Sequence, residues 1–365
     1  ASFSFRQMDR DGMGWPRGLV EMLTIYDSWL YGGDPAQNFS FRAALDGLRE
    51  KIATGYFEEK IRQWLLDDTT GVTVIMKPSQ TLGAEKLERE HNRVSGEWEA
   101  MTEEQKKATA DLCEAIRKWQ QTPDSEEALA TIPVLKVSDI PETVKKLSVA
   151  EDKVGTVPVL RHTTGSKLIT MSLLFNASDL TEEELPVATL LATMLGKLPT
   201  TKHDSAALQT VVKQKIGKIN FGTEVYPVTD CTDKARVNLG VSAVCLETLK
   251  EETAELMVEM LTSTVYENTS LLLDVLRQNK TNLQMSLISA GNRYAIGRVN
   301  SRMTAAGAAN EYLSGCEYIS WINKCCEFDE AALKNLLDRM AAVAAKVFCR
   351  SRLTITVSDN TGNAL

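Results

Sequence analysis

Leu185-Pro186-Val187-Ala188-Thr189-Leu190-Leu191-Ala192-Thr193-Met194-Leu195-Gly196-Lys197-Leu198 is the stretch around which this chain is organised. Val187, Leu190, Leu191, Met194, Leu195 and Leu198 fall at the i, i+3, i+4, i+7, i+8 and i+11 spacing that gathers apolar side chains on one helical face. The spacing predicts an amphipathic helix through 185–198. Thr181 and Glu184 stand just before it in the order of a capping box, where a hydroxyl and a carboxylate satisfy free amide groups at a helix start.

Outward from this helix, 156–162 and 168–175 read as strands paired around the Thr164-Gly165-Ser166 turn. Beyond it come a helix at 203–217 and strands at 219–222 and 235–244. Helices at 247–265, 270–290, 295–313 and 329–348 follow, and 353–357 closes as a strand. Strands and helices grouped in this way predict an α+β unit, an antiparallel sheet with helices on one face. Pro133 and Pro141 mark a wandering connection leading into it from Ile132.

The preceding part of the chain differs in character. Residues 3–8 fit a strand end or a helix start equally. From Pro16, Leu19, Met22, Leu23, Tyr26, Trp29 and Leu30 share one helical stripe, which Gly32-Gly33 and Pro35 stop. Helical patterns return at 39–53 and 56–66, and 71–78 reads as a buried strand ended by Pro78, the last strand of an α+β unit. Residues 84–121 are rich in Glu, Lys and Arg, and Thr102 with Gln105 forms a second capping box between two narrow apolar stripes. One stripe is Leu87, Val94 and Trp98; the other is Ala108, Leu112, Ile116 and Trp119. This predicts an antiparallel helical hairpin packing on a neighbour along one seam. It reads either as a hinge arm between two globular halves or as a pair of solvated surface helices.

With 365 residues, 43% of them hydrophobic, the chain suits two or three units. No run approaches the roughly 18 apolar residues a membrane span needs, and Ala1-Ser2-Phe3-Ser4-Phe5 has no signal-peptide character, so a soluble chain is expected. The start on a residue other than Met suggests a piece of a longer chain. A net charge of −8 argues against nucleic acid and suits basic peptides, though such acidity is also ordinary. Seven cysteines without a C-x-x-C pair point to reduced thiols, with Cys325-Cys326 the one vicinal pair. His91, His162 and His203 lack a second ligand at metal spacing, Glu88 beside His91 being insufficient. Walker, G-x-G-x-x-G and G-x-S-x-G motifs do not occur. Arg293 and Tyr294 interrupt a helical region and present two alternatives, a substrate contact or a plain helix break. Asp27, Asp34 and Glu184 are carboxylates with no partner evident in the sequence.

Residues 27–35, the strand-like 72–78, the charged hairpin, and 289–295 with 312–315 together resemble the presequence-protease branch of the insulinase-like zinc peptidases, in order along nearly the whole chain. The resemblance implies homologous α+β units in two halves, joined by a helical hairpin and closing around a chamber that degrades short unfolded peptides. It places 1–80 as the end of the second unit, 81–130 as the hairpin linker and 131–365 as the third unit. In the inverted zinc peptidases the counterpart of the 185–198 helix carries H-x-x-E-H, whose histidines bind zinc while the glutamate activates water. Here those positions are Thr189, Ala192 and Thr193, which implies no catalytic or metal residue in this chain and leaves any substrate-binding residue unassigned. Zinc is implied for the full-length enzyme and not for this portion. The implied partners are the N-terminal catalytic half and C-terminal fourth unit of the same chain, and peptide substrates, with no nucleic acid and no membrane. The implied compartment is the cytoplasm or an organelle matrix. The R-E-K-G-G-A-Y-like substrate loop of the family belongs to the fourth unit, and Arg293 and Tyr294 do not match it. The alternative expectation is a non-catalytic binding or assembly subunit that keeps the fold without the chemistry.

Overall fold

Helix boundaries in the first part of the chain follow its glycines. The computed structural model describes residues 17–36, 42–67, 71–140, 142–143, 148–164 and 168–359; the reading of 3–8 and the turn at 165–166 lie outside them. Helix α1 (Arg17–Trp29) stops where Gly32 takes φ 81° and the Gly33 amide donates to the Ser28 carbonyl at 2.9 Å. Helix α2 (Arg42–Ile52) is separated by Gly55, at φ 70°, from α3 (Tyr56–Ile61), which continues as one π turn over Arg62–Leu66. The strand expected at 71–78 is not formed. Val72, Val74, Ile75 and Met76 are all exposed, and the segment pairs with no strand among the described residues. A β-rich sequence makes a strand only where a ladder partner and a covering layer exist.

Helices α4 (Leu82–Ala100) and α5 (Glu103–Gln121) flank the Thr102 cap. The Gln105 amide donates to Thr102 Oγ1 at 3.2 Å, and the Thr102 amide donates to Gln105 Oε1 at 2.9 Å, which completes the expected capping box. Exposed pairs such as Arg93 with Glu90 and Glu97 line the surface. Among the described residues, the apolar stripes are not buried as the hairpin reading expected. Neither helix has a buried residue, and Leu87, Trp98, Leu112 and Trp119 are all exposed. A short helix α6 (Glu126–Ala130) follows. By contacts, the chain divides into one compact unit within 50–146 and another within 1–49 and 147–365.

The second of these units holds a six-stranded sheet of β1 (Val149–Val154), β2 (Val157–Thr163), β3 (Leu168–Asn176), β4 (Lys218–Val228), β5 (Cys231–Leu246) and β6 (Leu353–Asp359). Its order is β1-β2-β6-β3-β5-β4. The expected pairing of 156–162 with 168–175 is replaced, because β6 lies between them, parallel to β2 and antiparallel to β3. All other pairings are antiparallel. The partner of β2 on its other side is β1, joined to it through Gly155 at φ 64° and too polar, with all six residues exposed, to show in the hydrophobic pattern.

Among the described residues of the unit's 147–365 part, eight α-helices accompany the sheet: α7 (Leu185–Met194), α8 (Ser205–Lys215), α9 (Lys250–Thr262), α10 (Thr269–Ser289), α11 (Gly291–Asn300), α12 (Ala305–Ser314), α13 (Cys316–Cys325) and α14 (Glu330–Val347). Along β5, Val237, Leu239, Val241, Ala243 and Cys245 are buried in the helix-covered core. The intervening Ser242 shares the opposite face with Ser172 of β3, their hydroxyls 2.9 Å apart. One covered face and one wetter face is the pattern of an α+β sheet. The helix expected over 295–313 is two helices, broken where Thr304 caps α12 by accepting from the Gly307 amide at 2.9 Å, and α13 had no counterpart in the sequence reading. A Cβ at Gly307 would stand 2.2 Å from the Asn300 carbonyl oxygen, so the crossing of α11 and α12 requires glycine there.

Candidate functional site

Helix α7 is the site that the sequence singles out. Its start is built as expected on one side of the box: the Thr181 amide donates to Glu184 Oε2 at 2.9 Å, and Pro186 occupies the first turn, where no amide donor is missed. Glu184 also has a partner the sequence did not reveal. Lys346 of α14 donates to its Oε2 at 2.8 Å, and that ammonium holds the Glu184 carboxyl below its ordinary value. The helix ends sooner than expected, at Met194, because Gly196 adopts φ 77°, which leaves Leu198 in the following turn. Nor is it amphipathic. Leu185, Pro186, Val187, Ala188, Leu190, Leu191, Ala192 and Met194 are all buried, among α12, α14, β4 and β5, and only Thr189 and Thr193 form a half-exposed strip.

That strip is where metal chemistry would be expected, and its donors are already engaged. Thr189 Oγ1 donates to the Leu313 carbonyl at 3.0 Å and lies 3.5 Å from Thr223 Oγ1 of β4. Thr193 Oγ1 donates back to the Thr189 carbonyl at 3.0 Å, and Ala192 offers no donor atom. A zinc ion takes imidazole, thiolate or carboxylate ligands, about three of them at a catalytic centre. These residues do not fit it, and among the described residues no group of three or more His, Cys, Asp or Glu could hold a metal ion.

The remaining candidates separate in space. His91 and Glu88 are exposed on α4. His162 Nδ1 lies 2.9 Å from the Ser148 carbonyl, bracing the β1–β2 end of the sheet. His203 meets a carboxylate 56 residues away: its Nδ1 is 2.8 Å from Oε1 of buried Glu259, which also accepts from Thr200 Oγ1. Burial pushes the Glu259 carboxyl up, but the hydrogen bonds from His203 and Thr200 more than offset this and leave it below its ordinary value. Sequence spacing could not signal this pair, which forms only when the loop after α7 closes on α9. Arg293 is exposed, its guanidinium 5.3 Å from the Tyr294 ring centre, while Tyr294 is buried and donates to Ser286 Oγ at 3.1 Å. Tyr294 thus lies within α11, four residues past Ala290, where α10 and α11 meet. Asp34 accepts from the Ala36 amide at 2.9 Å. All seven cysteines are free. Burial raises the Cys325 thiol to about 12 and pushes Cys326 up as well, the opposite of what a reactive thiolate needs.

Fold and helix together define an α+β unit whose central helix presents two threonine hydroxyls, both hydrogen-bonded within the unit. Residues 76–325 match the family described as peptidase M16-C associated, and the chain belongs to that family. It is similar to Protein HypA of Clostridium perfringens, 24% identical over 355 residues that cover 97% of this chain and 36% of that protein. It is also similar to Presequence protease 1, chloroplastic/mitochondrial, of Arabidopsis thaliana, 25% identical over 329 residues that cover 88% of this chain and 30% of that one. The resemblance to presequence proteases is thus borne out. The chain spans about a third of the length of these curated relatives. A solved peptidase M16 inactive domain from Pseudomonas fluorescens aligns over 59% of this chain and 47% of its own, with a TM-score of 0.40 and 15% identity. No helix among the described residues is long and apolar enough to cross a membrane.

Proposed function

We propose that this chain is the non-catalytic portion of a zinc-dependent metallopeptidase that degrades short unfolded peptides, and that it serves as hinge and chamber wall. The observation that supports the reading is α7 in a chain of this family: by resemblance its motif positions are Thr189, Ala192 and Thr193, none a metal ligand, and the Thr189 hydroxyl donates to the Leu313 carbonyl. On this reading zinc and the activated water are supplied by the N-terminal half of the same polypeptide, with a fourth unit completing the chamber. The charged helices within 81–130 connect the unit ending near residue 80 to that beginning near 131. A reducing compartment, cytoplasm or organelle matrix, accords with the seven free cysteines and with the chloroplastic/mitochondrial relative.

Metal analysis after dialysis, combined with a quenched-fluorescent peptide assay with and without chelator, tests the proposal on this chain and on the full-length protein. The full-length protein is expected to hold zinc and cleave in a chelator-sensitive way, and this chain to do neither. One equivalent of tightly held zinc with chelator-sensitive cleavage by this chain alone would overturn the reading. A full-length protein without zinc or cleavage would instead support a non-catalytic binding or assembly subunit.

A further inference from the structure

At the N-terminal end of α7 an open pocket of about 370 Å³ is bordered by α12, α13 and α14, within the size range of small-molecule sites. Trp321 of α13, Tyr312 of α12 and buried Pro186 give it an apolar lining. The Trp321 ring is set in place by stacking on Tyr318, centres 6.1 Å apart at 21°. Several polar groups around the rim already have hydrogen-bond partners. Tyr312 donates its hydroxyl to Glu182 Oε2 at 2.7 Å, Arg298 donates to Glu317 Oε1 at 2.8 Å, and Arg339 Nη2 donates to the Glu183 carbonyl at 3.1 Å. Among the groups still open at the rim are an acceptor, the exposed Glu183 carboxylate, and a donor, the exposed Lys324 ammonium.

An aromatic lining flanked by a free acceptor and a free donor matches a peptide residue, which presents a side chain between an N–H and a C=O. We infer that this pocket receives one aromatic side chain of an extended peptide, whose flanking amide N–H and carbonyl meet Glu183 and Lys324. The inference rests on the reading that the complete protein acts on peptides, and it assigns this chain a direct part in holding them.

The test measures binding of a fluorescein-labelled Gly/Ser decapeptide with a central Phe, and of its Ala counterpart, to full-length protein treated with chelator so that nothing is cleaved. The Phe peptide is expected to bind about tenfold more tightly, the effect of one well-stacked ring. That preference should fall towards unity in Trp321→Leu. It should fall equally in Ser320→Trp, which fills the pocket from an exposed lining position and leaves the core intact. An unchanged preference in the folded Ser320→Trp protein, or no preference in the wild type, would overturn the inference. If the full-length protein cleaves no peptide yet the preference depends on Trp321 and Ser320, the peptidase reading falls and the pocket stands. If it cleaves peptides with the preference unaltered by either variant, the pocket falls and the peptidase reading stands.

Discussion

Helices α7 and α5 have equally plain apolar patterns and opposite fates. Of the ten residues of α7 eight are buried, whereas none of the nineteen in α5 is. The pattern in a sequence tells where apolar side chains lie on a helix; it does not tell what covers them. For α7 the cover is a sheet and two further helices, so its stability comes from burial. Helix α5 has a capping box and the Lys106–Glu103 ion pair, each contributing a few tenths to about 1 kcal/mol in a helix with no buried residue.

The sharpest way to break this contrast is a pair of truncations. Leu191 is fully buried, so Leu191→Ala should cost about 2–5 kcal/mol in urea unfolding, through lost transfer energy and the cavity left behind. Trp119→Ala removes a larger side chain that is 77% exposed, and should stay within about 0.5 kcal/mol. Equal losses at the two positions would mean that α5 is covered in solution.

Two glycines sharpen it further. In isolation Gly→Ala stabilises a helix interior by about 1 kcal/mol. At Gly96 of α4 a new Cβ meets nothing within 4 Å, so the substitution should raise the melting temperature or the helicity of the 50–146 unit. At Gly307 the clash with the Asn300 carbonyl outweighs that gain, and Ala should instead lower stability by about 1–3 kcal/mol. Thr102→Ala removes the cap between α4 and α5 and should cost about 1 kcal/mol, seen as faster amide exchange in the first turn of α5.

The smallest effect concerns charge. Hydrogen bonds from the Arg352 guanidinium hold the Asp179 carboxyl down at about 2, against about 3.9 for an ordinary aspartate. A lowered carboxyl favours the folded state above its unfolded pKa, and the benefit disappears as pH falls through the folded value. Asp179 is 54% exposed, so Asp179→Asn should cost only a few tenths to about 1 kcal/mol at pH 7. The gap from the wild type should close between about pH 4 and pH 2. A gap that persists below pH 2 would show that the side chain matters through packing.

Much of the helical part was legible because its signals are local. Thr102 with Gln105, Gly32-Gly33 and the stripe of α14 are each contained within a few turns. The errors share a cause, which is that the deciding contact is remote. The strand reading of 71–78 needed a partner that no local pattern supplies. The pairing of 156–162 with 168–175 was the obvious local solution, and β6, from the far end of the unit, displaces it. Glu184 waited on Lys346, and Glu259 on His203. At the site, the absence of ligand-type residues from Thr189, Ala192 and Thr193 could be read directly, while the acceptor of the Thr189 hydroxyl, on α12, could not.

The position of β6 also governs the order of assembly. As the chain is synthesised, β1 with β2 and β3 with β5 and β4 can each form as local ladders, yet each keeps one bare edge where β6 belongs. Unpaired edges of this kind recruit strands from other molecules. Joining the two pieces requires a loop closure across nearly the whole unit, a slow step that cannot begin until β6 has left the ribosome. The interval between translation of β2 and of β6 is therefore the period in which this unit is most exposed to aggregation, and the part of its life in which a chaperone would matter most.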